Sequence, residues 1–438
     1  MEYFYTIVFY AGTGFLCWWG YTTLLNKKTE KSLERLHQSI SSGLGEPASL
    51  HPIIDTALCV GCTSCIEACP EKKVFGLVDN RATLVTASAC IGHGRCATAC
   101  PTEGITLVFG TETRGIDIPQ LNGDLETNVP GIFIAGELGG MGLIRNAIKQ
   151  GKTAVSHIAE LEGLNQPDCY DLIIIGSGPA GIGAALAAKE KNLNYIVIEQ
   201  DSLGGTVFQY PRGKIVMTAP IELPLEGMMN FKETTKEQLL EFWTGIVAKH
   251  ELNISYHERM DKIEAAGERK DDGFIVTTSK GKHNTRSVLL AIGRRGTPRK
   301  MDVPGEELPK VVYSMIDPAQ YTNQHVLVVG GGDSALEAAC SIADEPDTTV
   351  TLSYRSDSFS RAKAKNRERV EVAEKAGRLT VMFKSAVKEV TPERVDIEYN
   401  GEISAVQNDA IIVCVGGILP TQLLKNAGIS VETKFGTV

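Results

Sequence analysis

The distribution of apolar and polar positions divides this chain before any residue is counted. Residues 3–26, YFYTIVFYAGTGFLCWWGYTTLLN, carry no charge. Residues 27–50 are polar and end in the turn-rich SSGLGEPAS, which predicts a partly helical linker. From Tyr170 an apolar strand, YDLIII, runs into an alanine-rich helix, and a second strand, YIVIE, follows. From His325 the pattern repeats with HVLVV, a helix over DSALEAACSIA, and TVTLSYR. Apolar strands alternating with helices predict βαβ units around parallel sheets. The fold class is therefore α/β, with two dinucleotide-binding units and a small α+β module between them and the N-terminus.

At 1.5 Å per residue, the uncharged run is long enough to cross a bilayer of about 30 Å. Trp18, Trp19 and Tyr21 lie near one end, where an aromatic belt would sit, and Lys27, Lys28, Lys31 and Arg35 follow. The run lacks the basic leading segment and clean cleavage site of a signal peptide. One uncleaved transmembrane helix is expected, with the body on the cytoplasmic side of the inner membrane.

Composition adds two constraints. The net charge of −9 argues against nucleic acid as a partner. Of 11 cysteines, seven fall between Cys59 and Cys100, a clustering that marks a metal site rather than a disulfide framework. Cys17, Cys169, Cys340 and Cys414 are scattered and read as buried thiols.

CVGCTSCIEACP supplies Cys59, Cys62, Cys65 and Cys69 before Pro70, the C-x2-C-x2-C-x3-C-P run of bacterial ferredoxins. ACIGHGRCATACP supplies Cys90, Cys96 and Cys100 before Pro101, with His93 where the second cysteine would stand. Residues 51–109 thus resemble a bacterial two-cluster 4Fe-4S ferredoxin domain. In that family the fourth cysteine of each run serves the other cluster. The resemblance assigns Cys59, Cys62, Cys65 and Cys100 to one cluster, and Cys69, Cys90 and Cys96 to the second. His93 is either the fourth ligand there or the neighbour of a three-iron cluster; an empty second site is the remaining alternative. Gly92 and Gly94 leave room for the larger ligand.

Gly176, Gly178 and Gly181, with Pro179 and Ala180, open the first long helix, and Glu199 ends the next strand. This is the spacing of a dinucleotide fold whose acid holds a ribose. Gly330, Gly332 and Ala335, with Asp333 and Ser334, repeat the arrangement, but no acid ends the second strand. Arg355 stands there, followed by Arg361, which favours the 2′-phosphate of NADPH over NADH; a solvated basic stretch is the bland alternative.

The two folds in this order, with GGGDSA in the second, resemble the thioredoxin-reductase class of flavoproteins. The resemblance implies FAD at the first fold, with Gly204 and Gly205 at the flavin, and NAD(P)H at the second. LLAIGRRGTPRKMDVPGEE matches the family's crossover between domains, and AIIVCVGGILPTQLLKNAGISVE its return. The family continues into a T-x-VPGIF-x-AGD segment. Here NVPGIFIAGELGG lies upstream instead, at residues 128–140, so a circular permutation is expected, with Gly136 and Glu137 against the flavin. Whether this segment closes its own FAD domain or a neighbour's is open.

The expected organisation is an anchor (1–26), linker (27–50), ferredoxin domain (51–109), permuted closing segment (110–165), FAD domain (166–296), NAD(P)H domain (297–409) and return (410–438). Neither segment that carries redox cysteines in related reductases has them here. The expected enzyme is thus a membrane-anchored NAD(P)H-dependent flavin/iron–sulfur oxidoreductase, passing hydride between NAD(P)H and FAD and single electrons between FAD and clusters. The partner would be a redox protein or a quinone, and a homodimer is compatible. Alternatives are an electron-carrier subunit or redox sensor, and an NADPH-dependent reductase of low-molecular-weight disulfides. No side chain is singled out as catalytic.

Overall fold

A computed structural model describes residues 2–436 except 43, 48, 49, 141, 268–271, 295 and 361. The chain forms two compact units: Met1–Gly115 with Ser358–Ala364 and Phe435–Val438, and Ile116–Asp357 with Lys365–Lys434.

The first unit opens with one continuous helix, Glu2–Ser41, of 40 residues. Its C-terminal part lies on the strand Phe75–Val78 and buries Ser32 and Ser39. Its N-terminal part leaves Phe4, Phe9, Phe15, Leu16, Trp18 and Trp19 exposed. The expected transmembrane anchor requires correction: among the described residues, no helix is long and apolar enough to cross a membrane. The length suffices, but four tyrosines, four threonines, three glycines and two tryptophans dilute the apolar character of residues 3–26. Counting charges alone overestimated that character. The expectation for Cys17 also fails, because it is exposed on this helix.

The remainder of this unit is a ferredoxin-like core. Strand His51–Ile54 pairs antiparallel with Ile105–Val108, and Phe75–Val78 pairs with Arg81–Leu84. Two short helices, Ser64–Ala68 and Arg95–Thr98, follow the two cysteine runs. Val74, Phe75, Ala82 and Ile105 form the apolar core together with Cys65, Cys69 and Cys96.

The second unit contains two sheets built on βαβ units. In the first, Tyr170–Ile175 pairs parallel with Tyr195–Ile198 and with Lys282–Leu290, and Phe274–Thr278 and Met260–Ala265 extend the sheet antiparallel. Strand Ile132–Ile134 also joins this sheet, parallel to Lys282–Leu290. The helix after it, Ile144–Ile158, lies against Pro179–Glu190, both helices burying small side chains. A Cβ on Gly151 would stand 2.1 Å from the Ala180 carbonyl oxygen, so only glycine lets the helices approach this closely. The segment upstream of the first glycine motif therefore completes the sheet of its own chain. Nearby, Val431–Lys434 from the return pairs antiparallel with Ile116–Pro119, so the return ends beside the start of that segment.

The second sheet is parallel throughout, in the order Val311–Val312, Ala410–Val413, His325–Val329, Thr349–Tyr354, Leu379–Phe383. Its central strands Ala410–Val413 and His325–Val329 are apolar and largely buried, and the antiparallel sheet Ser385–Val390, Arg394–Tyr399, Glu402–Gln407 packs against them.

Candidate functional site

The two cysteine runs fold alike. Gly61 (φ 70°) and Thr63 (φ 65°) flank Cys62; Gly92 (φ 73°) and Gly94 (φ 77°) flank His93. Each run turns through left-handed backbone into a short helix whose first turn carries the next cysteine, Cys65 or Cys96. This brings residues distant in sequence around two separate voids. Cys59, Cys62, Cys65 and Cys100 line one, with a volume of about 330 Å³ including its mouth. Cys69, Cys90, His93 and Cys96 line the other, of about 260 Å³.

Among the described residues, no three His, Cys, Asp or Glu side chains converge closely enough to hold a single metal ion. Thiols ringing a void suit a multi-atom cluster better than a lone zinc, which needs its ligands within bonding distance of one point. Burial pushes Cys65 and Cys96 up to about 11, so cluster assembly has to displace thiol protons there. The Ser64 hydroxyl beside Cys62 and the Thr102 hydroxyl beside Cys100 lower those two thiols. Burial lowers His93, favouring the neutral imidazole.

At the first dinucleotide fold, Gly176 (φ 105°) turns the chain out of its strand, and Gly178 precedes Pro179 at the helix start. A Cβ on Gly181 would lie 1.9 Å from the Gly176 carbonyl oxygen, while one on Gly178 would meet nothing within 4 Å. The loop is therefore tight on its inner side and open where a pyrophosphate would approach the helix N-terminus. Glu199 is 5% exposed; its carboxylate accepts from the Ser177 amide (2.7 Å), the Ser177 hydroxyl (2.8 Å) and the Asp201 amide (2.9 Å). The acid thus stands beside the glycine loop. The Gly204 amide bonds the Ser177 carbonyl at 3.1 Å, and a Cβ on Gly205 would come within 3.2 Å of Gly178.

Gly136 reaches the same place from upstream. Its amide donates to Gln150 at 2.8 Å, and a Cβ there would stand 3.2 Å from that of Ala180. Glu137 follows in a short 3-10 turn, and its charge acts on half-buried Arg294. Burial lowers Arg294, and the charges of Glu137 and Asp117 oppose that shift. Sequence reading missed Arg294, Ser177 and Gln150: each looks ordinary along the chain and matters only through a partner in another element. The pair of arginines between Gly293 and Gly296 in the crossover was the available signal for Arg294.

At the second fold, Gly330 (φ 142°) and Gly332 lead into the helix Asp333–Ala343, and Ala335 faces Gly330. Tyr354 lies over Gly331, so that a Cβ there would be 2.4 Å from the ring. Asn366 donates to Asp333 (2.7 Å) and Glu337 (3.1 Å), and Lys214 pairs with Glu337 at 2.6 Å. Ser334 lies in the first turn of this helix, and Arg355 is exposed just past the strand end; Arg361 lies outside the described residues.

Residues 173–437 match the model of the pyridine nucleotide-disulphide oxidoreductase family, and residues 51–101 match a 4Fe-4S dicluster domain. The first match covers more than half of the chain, which therefore belongs to the pyridine nucleotide-disulphide oxidoreductase family. It is a flavin-dependent NAD(P)H oxidoreductase with an iron–sulfur domain. Bacilliredoxin reductase Bdr of Bacillus subtilis is 25% identical, over 60% of this chain and 82% of its own. Ferredoxin–NADP reductase of Streptococcus thermophilus is 30% identical over 61% of this chain and 80% of its own. The solved bacillithiol disulfide reductase Bdr (YpdA) of Staphylococcus aureus matches with a TM-score of 0.52 and 25% identity, covering 59% of this chain and 80% of that one. The family match begins downstream of strand Ile132–Ile134, which the sheet nevertheless incorporates.

Proposed function

We propose that this chain exchanges electrons between NADPH and a one-electron redox partner, using FAD and two iron–sulfur clusters. The observation that carries the reading is the pair of thiol-lined voids in a chain whose flavin and nucleotide folds have no cysteine pair. FAD supplies conversion between two-electron and one-electron chemistry when bound. The residues around it bind and orient. Gly176, Gly178 and Gly181 open the helix N-terminus to phosphate; Ser177 holds Glu199 in place for a ribose; Gly136 and Glu137, steadied by Gln150 and Arg294, cover the flavin chain. Gly330, Gly332 and the Asp333 turn receive the nucleotide, and Arg355 favours a 2′-phosphate. Cys59, Cys62, Cys65 and Cys100 hold one cluster, and Cys69, Cys90 and Cys96 anchor the other. No side chain is required to move a proton in the hydride step.

The partner is a redox protein or a quinone. We place the body at the cytoplasmic face of the inner membrane, where a partner covers the exposed aromatic surface of residues 3–26. The test is anaerobic addition of NADPH, and separately NADH, to purified holoprotein. Flavin bleaching followed by loss of cluster absorbance is expected, faster with NADPH; no bleaching with either nucleotide refutes the reading. The similarity to bacilliredoxin reductase favours a second reading, reduction of low-molecular-weight disulfides. That reading requires NADPH-driven disulfide reduction that survives removal of the clusters.

A further inference from the structure

We propose that His93 is the fourth iron ligand of the second cluster and makes it the higher-potential member of the pair, where an electron comes to rest. The proposal rests on the iron–sulfur reading above.

Backbone register is the first argument. Cys62 follows left-handed Gly61 and precedes left-handed Thr63; His93 follows left-handed Gly92 and precedes left-handed Gly94. The short helices begin at Ser64 and Arg95, two residues after each. The two side chains therefore occupy equivalent positions, one lining each void. Their immediate surroundings correspond as well. Cys62 Sγ lies 3.5 Å from Ser64 Oγ, and His93 Nδ1 accepts from the Arg95 amide at 3.1 Å, each two residues on.

The ring is directed towards the thiols, with Nε2 3.7 Å from Cys69 Sγ. Since Nδ1 accepts a hydrogen bond, the neutral ring carries its proton on Nε2. Iron would take the Nε2 lone pair. The displaced proton would pass through solvent to Nδ1, and the Arg95 amide would give up its bond there.

The electronic consequence follows from charge. A neutral imidazole in place of a thiolate leaves the cluster one negative charge short, and histidine ligation raises potentials in Rieske centres. With both clusters in place, an electron on the first would pass to the second, the first being oxidised by one electron and the second reduced by one, with no proton transferred between them.

The experiment is an anaerobic redox titration of full-length holoprotein followed by EPR, with hyperfine spectroscopy on protein labelled with 15N-histidine. Dithionite is the reductant, so the result does not depend on nucleotide or flavin. Two reduction waves are expected, the upper one carrying strong histidine-nitrogen coupling. His93→Cys should abolish that coupling and move the upper wave down towards the lower. Cys62→His should move the lower wave up. A three-iron signal in the oxidised native protein, iron for only one cubane, or two cubanes without nitrogen coupling would each overturn the assignment. Failure of NADPH bleaching in the same preparation would instead sink the oxidoreductase reading and leave His93 untouched.

Discussion

Gly181 shows how one residue sets the geometry of the flavin fold. Its missing side chain lets the helix approach the strand turn, since a methyl group would stand 1.9 Å from the Gly176 carbonyl. Gly181→Ala is expected to cost about 1–3 kcal/mol by overpacking, and to reduce FAD content in the purified protein. Thermal unfolding and flavin absorbance measure the two effects. Glu258, in the loop just before strand Met260–Ala265 of the same sheet, carries a pH dependence. Burial pushes its carboxyl up, but hydrogen bonds with Ser255, Thr278 (2.5 Å) and His283 (2.8 Å) outweigh burial and hold it below the ordinary value. A depressed carboxyl adds stability above its unfolded pKa of about 4.3, and that stability is lost as pH falls through the folded value. Glu258→Gln should therefore lower the melting temperature at neutral pH, with the gap to the parent protein closing below about pH 4. A gap that persists in acid would show that the carboxylate charge is not responsible.

Among elements, the helix pair Ile144–Ile158 and Pro179–Glu190 joins the upstream segment to the flavin fold. Gly151 permits the contact by placing its Cα against the Ala180 carbonyl. Gly151→Val should separate the helices, lower the melting temperature and release FAD, although residue 151 lies outside the matched family region. Retained flavin with unchanged stability would mean that the upstream segment contributes little to the fold. The long N-terminal helix behaves differently along its length. Residues 3–26 are largely exposed, whereas Ser32 and Ser39 are buried on the ferredoxin-like core. Deleting residues 2–26 should leave the cluster absorbance intact, since the ferredoxin-like core lies on the C-terminal part of the helix; lost absorbance would tie the cluster fold to the exposed part.

For the molecule as a whole, the clusters and the nucleotide folds are separable by experiment. Cys65 is buried and lines the first void. Cys65→Ser should remove that cluster's signal while NADPH still bleaches the flavin; onward reduction of a one-electron acceptor such as cytochrome c should fall at least tenfold. Undiminished reduction would place the exit of electrons at the flavin or the second cluster.

Much of this arrangement was legible along the chain because it depends on local periodicity and spacing. The strand–glycine–helix pattern at Gly176 and Gly330 needs only neighbouring residues, and so does the cysteine spacing at Cys59–Cys69. The anchor was misjudged because absence of charge is a weaker property than hydropathy: tyrosine, threonine and glycine are uncharged without being strongly apolar. Contacts across long loops lay beyond the sequence. The charge of Arg294 near that of Glu137 exists only because two segments distant along the chain meet there.

The sequence alone determined that this is an α/β flavoprotein-like chain with a ferredoxin module, since regular elements and ligand runs are written in short-range pattern. Only the tertiary structure decided that the chain supplies strand Ile132–Ile134 to its own sheet, and that His93 lies beside Cys69 on the wall of a thiol-lined void. Those facts depend on which surfaces are buried together, and burial is a property of the folded chain.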